Sequence, residues 1–300
     1  MLNQVIECVP NFSEGRDPEK LQKILRPFFE EKNVRVLDYS QDADHNRAVV
    51  TLIGTAEGLE HSVVEAVGIA AELIDLRQHQ GAHPRMGATD VIPFIPIRKA
   101  SVDDCDQLAK RVAKSIAERF QIPTFLYEES ASSPERQNLA KIRKGEFEGM
   151  AEKIQKPEWK PDFGEAKIHP SAGVTAVGAR EPLIAYNINL NTSDLDIATA
   201  IAKSIRFIGG GFRYCKAMGV DLPERKQTQV SINMTNYQKT HLYQVFEAVK
   251  MEAARYGVSV VGSEVVGLLP MEALADSCRY YLRLEHFDSS QIIEARLLDD

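Results

Sequence analysis

Cysteine is scarce in this chain: Cys8, Cys105, Cys215 and Cys278 are the four in 300 residues, and no two form a Cys-x-x-Cys pair. That scatter argues against a disulfide framework or a thiolate zinc site and fits thiols kept in a reducing compartment. Long apolar runs are missing too. None approaches the roughly eighteen residues of a membrane span, and the start, Met1 to Pro10, has no basic region followed by an apolar one. The expectation is a cytoplasmic protein with no membrane partner. Basic residues are in deficit, 36 Lys and Arg against 43 Asp and Glu, for a formal net charge of −7. Nucleic acid needs a basic face strong enough to release counterions from phosphates, so it is not an expected partner; a small anion held by a few local cations is. At about 150 residues per domain the length suggests two domains with cores large enough to need no staple.

What is present is a regular alternation of strand-like and helix-like patterns. Gln4 to Val9 reads as a strand ended by Pro10 and Asn11, and Asp17-Pro18 opens a helix with Leu21, Ile24, Leu25 and Phe28 on one face. Strands follow at Val34 to Tyr39 and Ala48 to Ile53, then a helix from about Glu57 to Leu76, then a buried strand near Val91 to Pro96 that two prolines are expected to break. The order βαββαβ is that of a ferredoxin-like sheet. It recurs after residue 180, from Leu183 to Val266. Between the two lie a helix near Val102 to Phe120, a strand at Thr124 to Leu126, and a helix opened by Ser133-Pro134. The polar stretch Gln155 to Pro170 reads as the connection between domains. The fold class is therefore α+β, with two ferredoxin-like subdomains, 1–179 and 180–300.

The stretch Gly81-Ala82-His83-Pro84-Arg85-Met86-Gly87-Ala88-Thr89-Asp90 places an imidazole, a guanidinium and a carboxylate on a loop entering a sheet. An ordinary imidazole gives and takes protons near neutrality, and loops fixed to a rigid sheet commonly carry catalytic groups. The plainer reading makes His83 a satisfied structural histidine. Asp38, Asp42, Asp44 and His45 crowd the loop after the second strand and Arg47 follows, where a carboxylate can orient an imidazole or bind a substrate amine, or simply face water. His79 and His83 are four apart, as zinc ligands on a helix are, but Gly81 and Pro84 interrupt any helix and no metal is expected. Gly209-Gly210-Gly211, with Arg206, Arg213 and Lys216 nearby, is a second place where an anion can approach backbone.

Five segments in one order carry a resemblance: Glu7-Cys8-Val9-Pro10-Asn11-Phe12-Ser13-Glu14-Gly15, Asn46-Arg47, Gly81 to Ala88, Pro161-Asp162-Phe163-Gly164, and Val261-Gly262-Ser263-Glu264-Val265-Val266-Gly267-Leu268. Together they make the chain resemble the glutamate formimidoyltransferases from end to end, in a free-standing form without the cyclodeaminase fused to it in animals. The resemblance implies transfer of a formimino group from N-formimino-L-glutamate to N-5 of tetrahydrofolate, in histidine degradation, with folate in a cleft between the subdomains. It puts the catalytic histidine at His83 and the folate-contacting stretch at Gly164, Glu165, Ala166, Lys167, Ile168, His169, Pro170, Ser171, Ala172 and Gly173.

Chemistry adds roles to these positions. Attack by the folate amine on an amidine carbon, then departure of the glutamate nitrogen, needs one proton shuttle, for which His83 with a titration between about pH 6 and 7.5 is the candidate. Arg85 and Arg47 are candidates for holding substrate carboxylates, and Asp38 for orienting the imidazole. Asn11 and Ser13 join them as substrate-binding candidates. Tetrahydrofolate is then an acceptor substrate, no metal is needed, and a homodimer and a separate cyclodeaminase are the expected partners. The rival activities are formyl transfer from N-formyl-L-glutamate and folate binding without turnover.

Overall fold

The structure, a computed structural model, describes residues 4–299. The first unit is built from β1 (Val5–Cys8), β2 (Asn11–Phe12), α1 (Pro18–Glu30), β3 (Val34–Asp42), β4 (Arg47–Gly54), α2 (Ala56–Leu73), β5 (Thr89–Arg98), α3 (Val102–Phe120), β6 (Thr124–Glu128), α4 (Leu139–Arg143), α5 (Glu146–Lys153) and β7 (Thr175–Ala179). The second contains β8 (Ile184–Leu190), α6 (Leu195–Ile205), β9 (Cys215–Leu222), β10 (Gln227–Met234), α7 (Leu242–Arg255), β11 (Val260–Val266), α8 (Met271–Leu282) and α9 (Ile293–Asp299). The chain divides into these two compact units after Arg180.

Local chemistry accounts for the helix starts. Asp17 accepts from the amides of Glu19 and Lys20 with Pro18 at the first helical position, Thr55 accepts from Gly58, and Ser101 and Asp104 form a reciprocal capping box. The apolar face of α1 is the one its spacing predicts, with Leu21, Ile24, Leu25 and Phe28 buried.

In the first sheet β3 pairs with β4, β4 with both β1 and β2, these with β5, β5 with β7, and β7 with β6, the last two pairings being parallel. Ile6, Cys8, Val50, Leu52, Ile92 and Phe94 pack against α1, α2 and α3 on one face. On the other face Val91, Phe125, Tyr127 and Ala176 pack against Ile142 and Met150 of α4 and α5. Nearer β3, the register puts Glu7, Asn11, Asp38, Arg47 and Thr51 on that second face. The second sheet runs β11-β8-β10-β9, antiparallel throughout, with its core under α6, α7 and α8.

Three expectations need correction. Pro93 and Pro96 do not break β5, which runs ten residues. Pro93 stands opposite the gap between β1 and β2, where no ladder amide is required, and its carbonyl still accepts from Val9 at 3.3 Å. Ser133-Pro134 opens a single 3₁₀ turn, followed by the two short helices α4 and α5. The stretch Gln155 to Pro170 is no spacer between the units. It returns the chain to β7, which inserts between β5 and β6 of the first sheet.

Candidate active site

The loop carrying His83 joins α2 to β5 and is pinned along its length by backbone bonds. Leu76 donates to Ser171 O at 2.9 Å, Ala82 to Asp44 O at 3.0 Å, Ala88 to Ala172 O at 2.9 Å, and Met86 O accepts from Val174 at 3.0 Å. Ser13 closes the near side, its amide donating to Ala88 O at 2.9 Å and its hydroxyl to Gly87 O at 2.7 Å. Gly87 and Gly173 face each other in a bridge. A Cβ on Gly87 would lie 2.1 Å from Val174 O and one on Gly173 2.1 Å from Met86 O, and Gly173 also has φ +69°. Neither position accepts a side chain without moving backbone.

Within this frame His83 is half-buried and its Nδ1 lies 3.4 Å from Arg47 Nη1. A guanidinium only donates, so Nδ1 accepts and the ring proton sits on Nε2. Both His83 Nε2 and Arg47 Nε are buried with no hydrogen-bond partner among the described residues. Burial, then Arg47, Arg143, His45 and His79, holds the ring's pKa down to about 3. The resting imidazole is therefore neutral across the physiological range, in place of the half-titrated ring the sequence suggested.

Arg143, at the end of α4, donates through Nε at 2.8 Å to Asp90 Oδ2, and the other oxygen of the buried Asp90 takes the Met86 amide at 2.8 Å. One carboxylate thus ties the His83 loop to a second guanidinium close enough to depress His83. Arg47 and Arg143 are the two cations acting on the imidazole, and burial first, then Arg143, lowers the basicity of Arg47 as well.

Arg85 is turned away from this pair. It is buried and held by Glu146 Oε2 at 3.0 Å, by Glu148 at 2.9 and 2.6 Å, and by His79 Nδ1 at 3.2 Å. Its donors are divided between α5 and His79, so it fastens the His83 loop to that helix. Asp38 shares its sheet face with Arg47 and Thr51 and is exposed, and its side chain makes no hydrogen bond or ion pair among the described residues. His83 has Arg47 as its polar neighbour, and the structure does not bring Asp38 into contact with the ring. Asp42 instead forms a local turn, accepting from the Asp44 and His45 amides and from His45 Nδ1 at 2.8 Å, and the His45 amide leads in holding its carboxyl below the usual range. Asn11 is buried and donates to Val9 O at 2.9 Å.

The segment from Gly164 to Gly173 lies against the same loop. Its end is a tight turn in which His169 and Gly173 exchange backbone bonds at 3.0 Å and His169 Nδ1 accepts from Ala172 at 2.9 Å. Ala166 and Ile168 pack onto the cluster of Met86 and Phe125, while Gly164, Glu165, Lys167 and Pro170 are exposed and Ser171 is half-buried. Just before it, Asp162 accepts from Arg136 at 2.7 Å and from the Leu126 amide at 2.8 Å, which anchors the segment on β6. Arg206, Arg213 and the three glycines Gly209 to Gly211 belong to the second unit, where Arg206 donates to Ala217 O at 3.4 Å and Arg213 lies over the Tyr214 ring at 5.7 Å.

Asp90, Arg143, Asn46 and His79 are the polar residues whose roles spacing did not reveal, because their partners come from segments distant in sequence. Among the described residues there is no group of three His, Cys, Asp or Glu side chains that could hold a metal ion, and no helix is long and apolar enough to cross a membrane.

Two family models match in sequence. The formiminotransferase domain, N-terminal subdomain, matches residues 5–180, and the formiminotransferase domain matches residues 185–297. A glutamate formimidoyltransferase of Streptococcus pyogenes serotype M1 is 52% identical over 98% of this chain and 99% of its own length. One from Thermoplasma acidophilum is 43% identical over 98% of this chain and 97% of its own. The formimidoyltransferase-cyclodeaminase of Rattus norvegicus is 41% identical over 93% of this chain, a match covering 53% of that protein.

Proposed function

This chain belongs to the formiminotransferase family, and we propose that it moves a formimino group from N-formimino-L-glutamate to N-5 of tetrahydrofolate, releasing L-glutamate. The observation that carries the residue roles is the neutral imidazole of His83 set against Arg47, with a buried, unpartnered Nε2. A glutamate donor brings two carboxylates. When one of them takes up Arg47, the cation that shares the Nδ1 lone pair is neutralised and the ring becomes more basic.

The folate amine then attacks the amidine carbon and forms the new carbon–nitrogen bond. His83 accepts the proton this nitrogen sheds and returns it to the departing glutamate nitrogen as the old bond breaks, so no net proton is consumed at the ring. Arg47 is the substrate-carboxylate ligand in this reading. Asp38 and Asn11, on the same sheet face, are the residues we assign to the donor's polar groups. Ser13 and Arg85 hold the loop. The segment Gly164 to Gly173, lying against the His83 loop with Lys167 exposed, receives folate, whose glutamate tail is anionic.

The finer architecture belongs to the same proposal: the strand orders β3-β4-β1-β5 and β9-β10-β8-β11 are each those of a ferredoxin-like βαββαβ unit. The boundary between the units is the one between formiminotransferase subdomains. A twofold homodimer, the commonest closed assembly, is the oligomer we assign, and a separate cyclodeaminase is the enzyme that consumes the product. The setting is cytoplasmic.

The test is an assay of the purified protein with tetrahydrofolate and each donor in parallel. Formiminoglutamate is expected to give the higher kcat/KM, since its amidinium charge offers a recognition handle that the formyl amide lacks. A higher value with formylglutamate would change the donor and leave the site standing. Folate binding with no turnover of either donor would make the protein a binding module.

A further inference from the structure

His79 is bonded through both ring nitrogens. Nε2 lies 2.9 Å from the Asn46 carbonyl oxygen, and Nδ1 lies 3.2 Å from Arg85 Nε. A carbonyl accepts and a guanidinium donates, so the ring proton is on Nε2 and the lone pair on Nδ1. Three segments are stitched together here. Asn46, with φ +49°, adjoins Arg47; its side chain accepts from Gly15 N at 2.9 Å and donates to Gln80 O at 2.9 Å. Arg85 lies two residues past His83 and is fastened to α5 through Glu146 and Glu148. The imidazole of His79 therefore bridges the neighbour of Arg47 and the clasp that ends the His83 loop.

We propose that His79 is a positioning residue, setting the approach of Arg47 to His83 through Asn46 and Arg85, and that its protonation, rather than that of His83, sets the acid limit of activity. The role in activity rests on the function proposed above; the geometry does not. A proton added at Nδ1 would face the Arg85 N–H, so the bond would be lost and two cations would oppose each other across about a hydrogen-bond length. The charged and titratable groups acting on the ring are Arg85, Glu148, Glu14, Arg16 and His83, with Glu146 held on the far side of Arg85. Burial leads in lowering the His79 pKa, with Arg85 and Arg16 acting the same way and the Asn46 carbonyl and Glu14 opposing. Before the donor binds, His83 stays neutral down to about pH 3, so a fall in kcat/KM above that pH, which reports the free protein, needs another titrating group.

Two variants and one spectrum test this. His79→Gln keeps an acceptor for Arg85 and a donor for Asn46 but does not titrate; His79→Leu removes both bonds. The Leu variant is expected to lose about 10- to 100-fold in kcat, the cost of a slightly misplaced catalytic group, with the KM for tetrahydrofolate little changed. The Gln variant should recover most of that rate and hold its kcat/KM to lower pH than the wild type. Ring-nitrogen NMR of the wild type should show His79 as the Nε2–H tautomer at neutral pH. An acid limb unchanged in His79→Gln, or an Nδ1–H tautomer in the wild type, overturns the proposal. If His79→Leu does not fold, the Gln profile and the tautomer decide it. A wild type that turns over neither donor refutes the function proposed above, while the tautomer and its titration still judge the His79 geometry.

Discussion

Arg47 Nη1 stands 3.4 Å from His83 Nδ1, and this contact makes the two nitrogens of the imidazole unequal. One carries the proton and has no partner among the described residues; the other shares its lone pair with a cation. Burial is the first cause of the ring's low basicity and Arg47 the second.

Replacing Arg47 with Met should therefore raise the pKa of His83 from about 3 toward the ordinary histidine value, without restoring it fully, because burial persists. A proton NMR titration of the His83 ring in wild type and variant measures this. An unchanged titration would leave the effect to burial and the remaining cations, Arg143 first, and remove Arg47 from the proposed control of the base.

The His83→Gln variant should lose about 10²- to 10⁴-fold in kcat while its stability at pH 7 stays within about half a kcal/mol of the wild type. Acid should separate the two in the opposite sense. The folded state prefers neutral His83, so the unfolded chain binds a proton first, at the ordinary value near 6.5, and the wild type loses stability as the pH falls from there toward about 3. The Gln variant lacks that loss. Melting curves at pH 7 and pH 4 should show its melting temperature gaining on the wild type in acid; a constant gap would mean the ring is not depressed.

Arg85→Met should destabilise the protein by about 1–3 kcal/mol, because it strands the His79 acceptor and leaves the Glu146 and Glu148 carboxylates of α5 without their guanidinium. Its effect on the KM for the glutamate donor should be small beside that of Arg47→Met. Urea unfolding and steady-state kinetics on both variants separate the clasp from the substrate ligand, and a large rise in donor KM with Arg85→Met at unchanged stability would return Arg85 to substrate binding.

Lys167 is exposed on the segment lying against the His83 loop. Lys167→Glu should weaken tetrahydrofolate binding by about 1–3 kcal/mol if the cation meets the anionic tail directly. Calorimetry on the folded variant decides it; an unchanged affinity would leave the segment's role to its backbone.

The four-residue spacing of His79 and His83 suggests a metal pair only while they are imagined on one helix. In the structure one ring bonds Asn46 and Arg85, and the other faces Arg47. Arg85 lies two residues from His83 in the motif, yet its guanidinium is turned toward α5, about sixty residues later in the chain.

Local chemistry was readable in the amino acids themselves. The helix start at Asp17, the apolar face of α1, the succession of strands and helices along each half and the loop holding His83 all depend on residues within a turn or two of one another. Strand-breaking by Pro93 was not readable, because a proline's cost depends on whether a neighbouring strand needs its amide, and the neighbour here is the gap between β1 and β2. The protonation state of His83 belongs to the same class. An isolated imidazole titrates near 6.5; only folding buries the ring and brings Arg47 and Arg143 beside it, since desolvation and charge proximity are properties of assembled space.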